Sequence, residues 1–159
     1  MLDECMTQKA SRLVVQGLQL YKPPIHGEFP EDYFGFKGAL DIDWTKQLQA
    51  EGDWSVITTD IGRQRGNQAR LKGPPLHLIL PARNITGIFL SGKMAQRGGF
   101  EKARCIFYLI HEIVAAIERS APGTRFKIRP AGNGYSMSPW PFTERLPEFQ
   151  DPTDLLPTE

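Results

Sequence analysis

Cysteine is scarce in this sequence: Cys5 and Cys105 are the only two, and they lie far apart in the chain. They form no CxxC unit, which excludes a disulfide-rich scaffold and the common cysteine metal sites. Cys105 falls inside an apolar helical pattern, where a buried and unreactive thiol is usual. No local sequence feature favours the thiolate at either position, so we expect no nucleophilic cysteine.

Long apolar runs are also lacking. The longest, such as Ile106–Ile110, are far shorter than a membrane span. The first residues include the acids Asp3 and Glu4 and do not form the basic, apolar start of a secretory signal. We therefore expect the protein to stay in the cytoplasm of the cell that makes it and not to enter a membrane.

Motifs of catalysis and cofactor binding are missing as well. The sequence contains no GxSxG, no GxxxxGK[ST] and no GxGxxG. The acidic pairs Glu31-Asp32 and Asp41/Asp43 are only one or two residues apart, a spacing that does not present a matched acid and base and suits helix caps or solvated loops. We expect a protein that is not an enzyme and that needs no cofactor.

A His-Glu pair at His111 raises the question of a metalloprotease helix. Such a helix places a second histidine four residues on, so that both ligands share one helical face. Ala115 occupies that position, and the other two histidines, His26 and His77, are distant in the chain. We therefore interpret His111 as a residue at the border of an amphipathic helix and predict no metal site, with a metal-dependent hydrolase as the weakest alternative function.

What is present is the composition of one ordinary globular domain, with 40% hydrophobic and 23% charged residues in a chain of 159. Apolar residues at three- and four-residue spacing predict an N-terminal helix; they are Leu13, Val14 and Leu18, with Met6 and Ala10 flanking them. A second, short helix is predicted over Asp43–Ala50, with Asp41 as its cap and Gly52 closing it.

Strands are predicted where β-branched and aromatic residues cluster. They cover Trp54–Thr59, Leu76–Arg83 and Thr124–Arg129, and Ile85–Leu90 continues the second strand or pairs with it. The glycine-punctuated segment Gly62–Arg70 between the first two then looks like a long hairpin loop.

Phe100–Arg119 is the clearest element, because it carries a wide apolar stripe at helical spacing. Burying such a stripe stabilises a fold by on the order of 10 kcal/mol before entropy, so we expect this helix to pack on the sheet. The predicted fold class is α/β: a small mixed or antiparallel sheet, with the long helix and the N-terminal helix packed mainly on one face. Residues 1–133 form this domain.

The last part of the chain, residues 134–159, changes character. It is rich in proline, has no hydrophobic period, and includes the aromatics Trp140 and Phe142. Prolines restrict the unfolded chain, so such a segment loses less entropy when it lies down on a surface. We interpret it as an extended arm that docks either on a partner or on its own domain.

Charge is distributed in blocks, although the net charge is only +1. Seven acids and two lysines lie between Glu28 and Asp53, and five acids and one arginine lie in the last sixteen residues. A basic segment lies between these two acidic blocks and includes no acidic residue. Its cations are Arg63, Arg65, Arg70 and Lys72. Such blocks suit contacts between complementary surfaces. The basic segment also suits phosphate binding, which makes a nucleic-acid-binding accessory protein an alternative function.

Three stretches resemble a family of small proteins from Mu-like phages and prophages, related to the tail-terminator proteins of long-tailed phages. They are FKGALDIDWTKQL from Phe36, LHLILPARN from Leu76, and the Gly-Gly-Phe that enters the long helix at Gly98. The likeness spans about residues 10 to 130, and the segment from Gly134 onward does not map to the family.

This resemblance implies a structural virion protein with an α/β fold. It implies a ring, typically of six copies, that ends growth of the tail tube and joins the tail to the head. The expected partners are other copies of the chain, the tail tube protein, the head-tail connector protein and DNA passing through the ring. The expected location is the neck of the virion, after synthesis in the host cytoplasm.

Overall fold

A computed structural model of the chain describes residues 1–2, 8–35, 41–59 and 75–141. Within these ranges, four strands form a mixed sheet in the order β1-β2-β3-β4: β1 Ser55–Thr58, β2 Thr86–Leu90, β3 Arg125–Ala131 and β4 Gly134–Pro139. The first three strands are parallel, and β4 runs antiparallel to β3. The predicted α/β class is confirmed.

The helices of the described residues are α1 Gln8–Gln19, α2 Pro30–Phe34, α3 Asp41–Glu51, α4 Leu76–Ala82, α5 Gly92–Ala95, α6 Gly99–Tyr108 and α7 Ile110–Arg119. Both helices predicted in the first half of the chain are confirmed, as α1 and α3. Asp41 lies in the first turn of α3 and not in front of it. The last turn ends as predicted at Gly52, which has a φ of 73° that suits glycine and donates its N–H to the Leu48 carbonyl.

Helices cover both faces of the sheet. Successive strand residues point to opposite sides, so Ile57 and Ile88 face one helical layer while Val56 and Phe89 face the other. The first layer is built from α1, α6 and α7, which confirms that the N-terminal helix and the long helical segment share one face. The opposite layer contains Trp44 of α3 and residues of α4.

The prediction of a strand over Leu76–Arg83 was wrong, because these residues form α4. A short apolar run fits a buried helix as well as a buried strand. Here Leu76 and Leu80, one turn apart, are both buried in the core. The prediction for Ile85–Leu90 as a strand is confirmed by β2. Because β2 is parallel to β1, the chain between them is a crossover, and the predicted hairpin was also wrong.

The predicted helix Phe100–Arg119 is two helices that meet at Leu109. Leu109 has φ −101° and ψ 10°, and its N–H bonds to the carbonyls of Cys105 and Ile106. The interruption is invisible in the sequence because Leu109 is apolar and fully buried, so the hydrophobic pattern continues across it. The predicted packing on the sheet is confirmed, since Ile106 and Ile113 share a cluster with strand residues.

The stretch predicted to begin an arm at Gly134 starts as strand β4. Tyr135 and Met137 pack on the core, whereas Ser136 and Ser138 are exposed. The part of the predicted arm that the structure describes therefore docks on its own domain. The remainder, residues 142–159, lies outside the described residues, so the division of the chain into a domain and an arm stays a prediction there.

The amino terminus lies along the outer edge of β1. The Met1 amino group donates to the Ser55 carbonyl at 2.8 Å, and the Ile57 N–H donates to the Met1 carbonyl at 2.9 Å. Leu2 forms a parallel bridge to Ile57 and donates its N–H to the Glu28 carbonyl. Burial lowers the pKa of the Met1 amino group from 8.0 to about 5, and the nearby Glu28 opposes this shift.

Candidate interaction surfaces

One of the six predicted interaction residues lies within the described part of the chain. Arg63, Arg65, Arg70, Lys72 and Phe142 lie outside the described residues. Trp140 is described, and it follows β4 directly. Trp140 is therefore the predicted contact residue whose surroundings the structure describes.

Trp140 packs against its own domain. Its backbone N–H donates to the Arg125 carbonyl at 2.8 Å, and its ring stacks on His77 with centroids 5.6 Å apart. The rings of Phe89 and Trp140 meet edge to face, with their centroids 5.3 Å apart. Two cations also approach it: the Arg125 guanidinium lies 4.6 Å and the Lys127 ammonium 4.3 Å from the ring centroid.

Arg125 joins the start of α4 to the end of β4. It is buried, and its two terminal nitrogens donate to the carbonyls of His77, at 3.1 Å, and Pro141, at 3.0 Å. His77 lies three residues after residues 60–74, and Pro141 directly precedes residues 142–159; both of these segments lie outside the described residues. The two segments that the sequence predicts to make contacts are therefore attached to the domain beside one arginine.

A basic face lies on the β3–β4 hairpin; it is defined by Arg125, Lys127, Arg129, Ser136 and Ser138. Alternate residues of β3 point to the same side, and Ser138 and Ser136 lie opposite Lys127 and Arg129 in the antiparallel register. Arg125 is buried, Lys127 is partly exposed, and Arg129 and both serines are exposed. The sequence predicts this strand, whereas the pairing of its cations with serines follows from the register with β4.

An apolar ridge, defined by Leu13, Leu20 and Phe100, lies on the helical layer. Gly17 of α1 lies in close contact with the Phe107 ring of α6. Tyr21, two residues after α1, bonds through its hydroxyl to His111 Nδ1 of α7 at 2.9 Å. The helices α1 and α6–α7 thus run parallel.

The ridge residues belong to the two neighbouring helices or adjoin them. Leu13 lies on α1, Leu20 directly follows that helix, and Phe100 lies two turns before Phe107 on α6. They are 44%, 83% and 73% exposed. Large apolar side chains that stay this exposed on adjoining helices indicate a contact surface.

Polar chemistry in the described residues offers little for a catalytic or metal site. Among them, no three histidine, cysteine or acidic side chains gather to hold a metal ion. His111 is exposed and bonded to Tyr21, at the helix border that the sequence predicts. Cys105 is buried, and burial raises the pKa of its thiol to about 12, which disfavours the thiolate.

Of the described helices, none has the length and apolar character needed to cross a bilayer. No protein-family model, curated protein or solved structure matches the chain.

Proposed function

We propose that the chain is a structural protein of a phage tail, a terminator that assembles as a homo-oligomeric ring of six copies. The ring caps the tail tube and joins it to the head-tail connector. The observation that supports an assembly role is the apolar ridge, whose Leu20 and Phe100 are 83% and 73% exposed. Burying two such side chains against a neighbouring copy is worth roughly 1.5 to 3 kcal/mol each before the costs of association.

A closed head-to-tail ring brings one surface of each copy against a different surface of the next. The apolar ridge supplies one of these two surfaces, on the side of the sheet that α1, α6 and α7 cover. The remaining partners in this proposal are the tail tube protein, the connector and the DNA that passes through the ring. The virion neck is then the working location, after synthesis in the host cytoplasm.

Glutamate at both Leu20 and Phe100 is expected to break the ring. Each substitution places a carboxylate in an apolar contact, where an unpaired charge is strongly unfavourable. Light scattering across a concentration series should then give a mass near 17.9 kDa, whereas the unaltered chain gives a multiple of it and rings in negative stain.

The matched control is the double variant Ala50→Glu and Ala121→Glu, which introduces the same two carboxylates at exposed positions away from the ridge. It should keep the mass of the unaltered protein. A single-copy mass for the unaltered protein at every concentration, or an undiminished ring with the ridge variant, would contradict the proposed assembly surface.

Reversing the charges of Arg63, Arg65 and Arg70 tests the contact predicted for the basic segment. We expect impaired ring assembly or impaired joining of tails to heads, because a cationic segment that meets an acidic neighbour becomes repulsive. Complementation of a phage that lacks the gene measures this as infectious particles. The control reverses the exposed cations Lys9, Arg97 and Arg119. Normal infectivity with the first variant argues against the contact.

A further inference from the structure

The geometry of the basic face repeats along the strand. Lys127 and Arg129 are two residues apart on β3, which separates their attachment points by roughly 7 Å on one side of the sheet. Ser138 and Ser136 stand across from them on β4 and add hydroxyl donors at the same intervals. The face thus presents two rows of donors at a spacing comparable to that of successive phosphates along a nucleic-acid strand.

We propose that the basic face binds the phosphate backbone of nucleic acid. Positive charge carried at regular intervals complements a polyanion whose charges are also regularly spaced, and arginine, lysine and serine are common phosphate-contacting residues. This inference depends only on the β3–β4 hairpin, not on the ring or on the segment from Arg63 to Lys72.

The packing around Trp140 specifies how the face works. His77 stacks on the indole, and the Arg125 and Lys127 cations lie within 5 Å of its centroid. The ring is therefore occupied by its own domain and does not serve as a platform for bases, unlike the aromatics of single-strand binding proteins. The Lys127 ammonium lies over this ring, 4.3 Å from its centroid. Binding is then independent of base sequence and steeply dependent on salt.

Arg125 has a supporting role in this arrangement. Its terminal nitrogens donate to the His77 and Pro141 carbonyls, so it ties the start of α4 to the residue that follows Trp140. Lys127 and Arg129, which are more exposed, are the residues that contact phosphate.

The test is fluorescence anisotropy with a labelled mixed-sequence DNA duplex, titrated with the full chain at several salt concentrations. The double variant Lys127→Gln and Arg129→Gln should lower the slope of log affinity against log salt by about 2, since each lost phosphate contact removes about 0.9. At low salt we expect affinity to fall at least about tenfold. The control, Lys9→Gln and Arg97→Gln, removes two exposed cations from outside the face and should leave the slope nearly unchanged.

Three outcomes would overturn the inference: no duplex binding by the unaltered chain in low salt, equal losses of slope in both double variants, or preferential binding of poly-L-glutamate at matched charge, which identifies an acidic protein segment as the occupant. If the double variant fails to fold, the single change Arg129→Gln at an exposed position replaces it. That variant should lower the slope by about 1, and an unchanged slope is equally decisive against the inference.

Discussion

Replacing Phe89 by alanine should reduce the free energy of unfolding by about 3 to 5 kcal/mol. Phe89 lies on β2, which has a neighbour on each side, and its side chain is 0% exposed. It packs with Leu76 and Leu80 of α4 and meets the ring of Trp140. Truncation leaves a cavity between the sheet and α4 that rigid neighbours fill only in part. Urea denaturation followed by tryptophan fluorescence measures the change.

Phe100→Ala is the matched control, because it makes the same chemical change at a residue that is 73% exposed. We expect a change within about 0.5 kcal/mol. Both variants are measured at a concentration where the chain is a single copy, so that loss of assembly does not enter the comparison. Similar losses at the two positions would mean that Phe89 does not fill the core between β2 and α4.

Lowering the pH from 8 to 5 should destabilise the protein through the amino group of Met1. The folded-state pKa is about 5 and the ordinary value is 8.0, so the unfolded chain binds the proton more tightly. The contribution of the Met1 amino group to the free energy of unfolding is therefore fully present above pH 8 and declines as the pH falls towards 5. The difference of about 3 units between the two pKa values corresponds to a loss of roughly 4 kcal/mol in the free energy of unfolding, as an upper limit.

Acetylation of the Met1 amino group isolates this effect. The acetylated chain keeps an N–H that can donate to Ser55 but has no amine to titrate. The difference in unfolding free energy between the two forms should grow as the pH falls from 8 to 5, measured by urea denaturation at each pH. Parallel pH profiles for the two forms would show that the amino group is solvated and charged in the folded protein.

Much of the fold could be predicted from the sequence, because α1, α3 and three of the four strands have a clear hydrophobic period or β-branched composition. Leu76–Ala82 could not, since this mainly apolar run of seven residues carries no period that separates a helix from a strand. Its helical state follows from the crossover between parallel strands, which is a property of the tertiary pairing. The break between α6 and α7 could not be predicted either. Leu109 is apolar and buried, so the hydrophobic pattern continues across the residue at which the helical backbone is interrupted.

The candidate surfaces were less predictable than the fold. Trp140 was identified, but its neighbours Arg125 and His77 are distant in sequence and meet it only through the fold. The alternation of cations along β3 was visible, whereas the serines that complete the basic face depend on the register with β4. The apolar ridge required the relative direction of α1 and α6, which no local pattern contains.

The placement of Met1 and Leu2 beside β1 has a consequence for solubility. Sheet edges are templates for indefinite strand addition, and a protein with two open edges can stack into fibres. Here the chain's own beginning occupies part of one border at Ile57, leaving β4 as the only other terminal strand within the described residues. A strand that approaches the covered part of this border finds the Ser55 carbonyl and the Ile57 N–H already bonded, so strand addition there is hindered.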